Sequence, residues 1–216
     1  MAIRTQESFN FYSHLAGVIA AVIGTIFLFT AANHSAPSLI TALIYGVSVI
    51  FLFSASTLYH AFKKGENELS FWRKMDRLAI FFMIAGTYTP VCYFYLDGNW
   101  RWGMIAIQWT FVGFGVVSQL VFPRAPRAFY ALIYCIMGWL TVIPMKQVHA
   151  NMPPVQEILL YFGGVAFSAG AIIYAIKRPR LKQGIFSFHE LFHIMVLVGG
   201  ASHYAMIYLS YAGSMA

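Results

Sequence analysis

The residues best suited to chemistry lie in the stretch His189-Glu190-Leu191-Phe192-His193. On a helix, two histidines four apart share one face. They are separated by about 6 Å along the axis, a spacing at which both can hold one metal ion. In a water-soluble protein this H-E-x-x-H pattern would suggest a zinc peptidase with the glutamate as general base. Here it opens an apolar run, 185–211, that contains no Lys, Arg or Asp and has Glu190 as its only formal charge. A run of that length and character reads as a transmembrane helix. Ionisable groups inside a membrane are costly and mark functional sites.

Two further segments bring matching chemistry. Ser56 and His60 are again four apart, just before the basic pair Lys63-Lys64, and Asp76 stands at the start of the next apolar run. Three neutral imidazoles, His60, His189 and His193, with one position left open make a catalytic type of zinc site. Histidine and oxygen ligands without thiolate suit Zn2+, though iron, nickel or copper would also accept them. Asp76 has the chemistry to orient or deprotonate a water, and Ser56 to support it by hydrogen bonding. Glu190 sits about 60° round the helix from His193. It reads either as a catalyst or as a paired structural carboxylate.

The elements that must position these residues follow from composition. The 216-residue chain is 60% hydrophobic and 10% charged, with 20 Phe and 13 Tyr, which excludes a soluble domain and places the chain in a bilayer. Seven apolar runs of spanning length can be marked at 11–32, 38–62, 78–96, 102–122, 128–145, 155–176 and 185–211. The expected fold is an all-α seven-transmembrane helix bundle, one integral membrane domain over 1–216. Its net charge of +7 is concentrated in short connections, which argues for topology signals rather than a nucleic-acid surface.

Twelve of the fourteen Lys and Arg fall on one side under this threading: Arg4, Lys63, Lys64, Arg73, Lys74, Arg77, Arg124, Arg127, Lys177, Arg178, Arg180 and Lys182. Only Arg101 and Lys146 fall on the other. The excess marks the cytoplasmic side, so the N-terminus is expected inside and the C-terminus outside. With that topology Ser56, His60, Asp76, His189 and His193 come from three helices to one layer, the cytoplasmic leaflet.

The remaining polar residues read less sharply. His14 is at a depth where it could support the cluster or substitute for a ligand. His203 lies about 15 Å beyond His193 along the axis and reads as an interhelical hydrogen bond, or as part of a proton or water path. His34 and His149 are expected in outer loops, Gly199-Gly200 at a close helix contact, and Trp100 and Trp102 at an interface. Cys92 and Cys135 occupy different apolar runs and read as buried small residues.

Ser56-x-x-x-His60, the Asp76 segment running on to Gly86-x-x-x-Pro90, and His189-Glu190-x-x-His193 followed by Gly199 and His203 resemble the hemolysin III-like branch of the progestin and adipoQ receptor superfamily. That branch includes proteins described in membrane homeostasis, and the superfamily includes the adiponectin receptors. Glu7-x-x-Asn10-x-x-x-His14 is similar to the start of the bacterial members. The resemblance implies seven helices with the N-terminus in the cytoplasm, zinc on His60, His189 and His193, and Asp76 and Ser56 around the reacting water. It also implies hydrolysis of ceramide-like amide lipids as the related activity. The short segment before the first run differs from the long cytoplasmic N-termini of the adiponectin receptors, so hormone binding is not expected.

The functional expectation is a zinc-dependent hydrolase of lipid amides or esters, resident in the plasma membrane and taking a membrane lipid as substrate. The alternatives are a membrane-state sensor or receptor with a structural zinc, and a pore or ion path using His14 and His203.

Overall fold

The computed structural model describes residues 7–32, 35–65, 68–179 and 186–213. His34, Arg4, Arg180, Lys182 and Ile185, all used in the sequence reading, lie outside the described residues. The order of helices is α1 (Ser8–Ala31), α2 (Ala36–Phe62), α3 (Phe71–Tyr95), α4 (Gly98–Val121), α5 (Arg127–Trp139), α6 (Met145–Asn151), α7 (Pro154–Ile176) and α8 (Phe188–Gly213). Six of them are long and apolar enough to cross a membrane, and a seventh span results if the bent segment from Arg127 to Asn151 is counted as one.

Helix starts follow from local chemistry. The Ser35 hydroxyl accepts from Ser38 N at 3.4 Å beside Pro37, and the Ser70 hydroxyl accepts from Arg73 N at 3.2 Å. Each satisfies an amide that the first helical turn leaves unpaired. The Ser70 cap corrects one boundary. The third apolar run is expected from 78, but α3 begins at Phe71, so Asp76 sits on the second turn of a helix rather than at its start. Arg73, Lys74 and Arg77 are helical too, because the helix continues beyond its apolar stretch.

A second correction concerns the fifth run, expected as one helix over 128–145. α5 stops at Trp139, a 3-10 turn follows over Leu140–Val142, and α6 leaves at 59° after Pro144. Proline cannot donate the backbone bond an unbroken helix would need there. Polar side chains from neighbouring helices meet the exposed backbone. The Tyr88 hydroxyl donates to Gly138 O and accepts from Thr141 N, both at 2.8 Å, and Gln108 Nε2 donates to Met137 O at 2.9 Å. Irregular backbone at membrane depth requires this kind of compensation. His149, expected in a loop, lies on α6 with its Nδ1 about 3.0 Å from Glu157 Oε2.

The helices form a ring in which α1 packs on α2, α2 on α3, α3 on α5, α5 on α7, α7 on α8, and α8 back on α1. α4 packs outside the ring on α3. Close approach needs small residues at the contacts. A Cβ on Gly86 would fall 2.3 Å from Ser48 Oγ, and one on Gly163 would fall 2.3 Å from the His203 ring. Gly199 faces the Phe167 ring in the same way, whereas Gly200 has no neighbour closer than Phe53 at 3.7 Å. Large apolar side chains such as Ile19, Ile23, Ile26, Leu120 and Ile158 cover the outside. His14, His60, His193, His203, Ser56 and Glu190 turn inward, as expected where the solvent is lipid.

Candidate metal centre

His60 lies on the last turn of α2, and His189 and His193 lie on the first two turns of α8. These segments come from opposite ends of the chain and meet because α1 packs against both helices. The ring centroids of His60 and His189 are 5.2 Å apart, and His193 is 4.8 Å from each. One nitrogen from each of the three lies within 4.8 Å of the others, so the set could hold a metal ion.

The distances test the fit. His60 Nε2 and His189 Nε2 are 3.4 Å apart. Two metal–nitrogen bonds of about 2.0–2.1 Å at the tetrahedral angle put their nitrogens about 3.4 Å apart. For a direct hydrogen bond the same separation is long. His189 Nδ1 and His193 Nδ1 are buried without a hydrogen-bond partner. The separation of the two Nε2 atoms therefore fits a shared metal ion better than a direct histidine–histidine hydrogen bond.

The residues behind the cluster were only partly visible in the sequence. Glu7, the N-cap position of α1, places Oε2 2.7 Å from His60 Nδ1 and Oε1 2.7 Å from Lys63 Nζ. Burial raises the Glu7 pKa, but the hydrogen bonds to His60 and Lys63 outweigh it and hold the carboxyl below its ordinary value. An ionised carboxylate can only accept, so the His60 proton sits on Nδ1 and the Nε2 lone pair faces the cluster. In the sequence Glu7 stood out only as part of the family-like segment Glu7-x-x-Asn10-x-x-x-His14. Its partner, 53 residues away, has no local signal.

Glu190 has a definite place. Its Oε2 accepts from Ser187 N at 2.7 Å and from Ser187 Oγ at 2.5 Å, and its Oε1 accepts from Asn10 Nδ2 at 3.1 Å. Ser187 and Glu190 thus make the reciprocal cap of a helix start. The carboxylate secures α8 and ties it to α1, which leaves it outside the ligand set.

Asp76 and Ser56 interact through carboxylate and hydroxyl, and both line an apolar cavity together with His189 and His193. Asp76 also lines a second, polar cavity that adjoins the first at His189. His14 stacks against His193 with ring centroids 3.8 Å apart, and neither of its ring nitrogens has a partner. It stands outside the three-histidine set. His203 makes the interhelical bond expected of it, with Nε2 3.2 Å from Leu160 O, far along the apolar cavity.

The family model described as haemolysin-III related matches residues 3–204. This chain belongs to the haemolysin-III related family. It is 33% identical over 198 residues to Hemolysin-3 of Bacillus cereus, covering 91% of this chain and 87% of that one. Over 201 residues it is 32% identical to the Hemolysin-3 homolog of Bacillus subtilis (strain 168), covering 91% and 90%. It is also 29% identical over 228 residues to Heptahelical transmembrane protein 1 of Arabidopsis thaliana, covering 93% and 68%. These relatives place it in the hemolysin III-like branch of the progestin and adipoQ receptor superfamily and agree with a multi-pass membrane protein.

Proposed function

We propose that this protein is a zinc-dependent hydrolase of membrane lipids, cleaving an amide or ester bond at the junction of the two cavities and serving lipid homeostasis. One observation carries the reading: His189 and His193, two of the three convergent imidazoles, line a mainly apolar cavity whose lining also includes Asp76 and Ser56. An apolar chain fits such a cavity, and the polar junction meets its reactive group.

His60, His189 and His193 would hold the ion. When bound, zinc polarises a carbonyl and lowers the pKa of water from 15.7 to about 7. Asp76 would take the proton of the attacking water on a carboxylate oxygen and pass it to the leaving nitrogen or oxygen. Ser56 orients that carboxylate, and Glu7 orients His60. The basic connections support a cytoplasmic N-terminus and residence in the cytoplasmic membrane, which puts this chemistry in the inner leaflet. The test is turnover of lipid amides and esters by purified zinc-loaded protein. Asp76→Ala is expected to abolish turnover with zinc retained, and equal rates for variant and wild type would reject the mechanism.

A second reading is a membrane-state sensor with a structural zinc. The observation favouring it is that the cluster joins α2 to α8, helices otherwise held largely through α1. This reading expects zinc removal to lower thermal stability sharply in a protein that consumes no lipid.

A further inference from the structure

Arg77 has no part in the chemistry assigned above. It follows Asp76 on α3 and is 7% exposed. Its guanidinium lies over the Tyr130 ring, 4.7 Å from the centroid, and its backbone carbonyl accepts from the Tyr134 hydroxyl at 2.8 Å. Among the described residues, no carboxylate forms an ion pair with it and no acceptor hydrogen-bonds to it. A guanidinium carries five donors in a planar fork, and those of Arg77 open onto the cavities rather than onto a protein acceptor. The side chain lines both cavities at their junction, so the space beside it is where a partner would sit.

That space has the character of an anion site. The polar cavity, of about 340 Å³, is also lined by Lys63, Arg73 and Arg127. Three carboxylates oppose these cations there, but Glu7 is engaged by Lys63 and His60, and Glu190 by Ser187 and Asn10. Among the described residues Asp76 is therefore the remaining carboxylate of that cavity, beside Arg73 and Arg77. Arginine matches phosphate with two parallel hydrogen bonds, which lysine cannot reproduce.

We propose that Arg77 anchors the phosphate of a lipid headgroup in the polar cavity while the lipid's chain lies in the apolar one, so that the preferred ligands are anionic phospholipids. The proposal rests on the reading of the apolar cavity as a lipid site. It selects within that reading, since a neutral lipid with the same chains would leave the guanidinium unmatched.

The test is binding of ether-linked short-chain lipids to the purified full-length protein in detergent, because ether bonds are not cleaved and the result is independent of turnover. The probes are a dialkyl phosphatidic acid, a dialkylglycerol with the same chains, and inorganic phosphate. The phosphate lipid is expected to bind about tenfold or more tighter than the neutral one. Arg77→Gln is expected to remove that preference without changing zinc content, and Arg77→Lys to restore part of it. Equal affinity of the wild type for both lipids overturns the anion site but leaves the hydrolase reading standing, and needs no variant to fold. Binding of neither lipid overturns the lipid reading of the cavity itself. Inorganic phosphate bound as tightly as the phosphate lipid would make this a free-anion site and also overturn the proposal.

Discussion

Glu7 Oε2 stands 2.7 Å from His60 Nδ1, so the residue that opens α1 decides which nitrogen of a histidine on α2 faces the other two histidines of the cluster. Lys63 holds the other carboxylate oxygen at the same distance. One turn further along α1, Asn10 reaches the Glu190 cap of α8. The first turn of α1 therefore touches the supports of all three histidines.

Glu7→Ala removes the acceptor that fixes the His60 tautomer. Zinc affinity is expected to fall about 10–100-fold, the usual consequence of losing a ligand's outer partner. Competition with a chelator of known affinity measures this. Unchanged affinity in a folded variant would show that Glu7 serves only Lys63.

Glu190→Gln separates a helix cap from a catalyst. As a cap, the substitution should cost about 0.5–2 kcal/mol, seen as a lower Tm, with zinc content and any lipid turnover retained. Loss of turnover at unchanged Tm would instead make Glu190 a general base.

Much of this arrangement was legible in the chain. The four-residue spacings Ser56/His60 and His189/His193 and the distribution of Lys and Arg pointed to one shared layer, because periodicity and charge are local signals, and the structure brings the three histidines together and Asp76 to Ser56. Glu7 was not legible in this role, since its two partners lie more than fifty residues away and a carboxylate beside an N-terminal helix reads equally well as solvated. The break after Trp139 was missed for a related reason. Pro144 marks it, but apolar content runs on through Leu140–Val142 and obscures it, and the tyrosine on α3 that meets the opened backbone has no local signal. The extension of α3 back to Phe71 did have a signal, the cap residue Ser70, which the nearby charges obscured.

Tyr88→Phe tests that bend. It leaves Gly138 O and Thr141 N without their shared partner. The expected loss is about 1–3 kcal/mol of stability, with zinc still bound. Thermal unfolding of the purified variant checks it, and an unchanged Tm would mean that water or lipid headgroups already serve the break.

Gly163→Val would set a branched side chain against the His203 ring, which a Cβ alone already approaches to 2.3 Å. α7 and α8 must then separate, and the expected outcome is a clearly lower Tm with the three-histidine cluster still able to bind zinc. A variant as stable as wild type would show that His203 can leave its bond to Leu160 O without cost.

The most direct measurement is the metal content of detergent-purified protein beside a His60→Ala/His193→Ala variant. About one zinc per chain is expected in the wild type and none in the variant. A folded wild type that carries no metal and takes up none from excess zinc would contradict it, and the histidines would then be interhelical contacts alone.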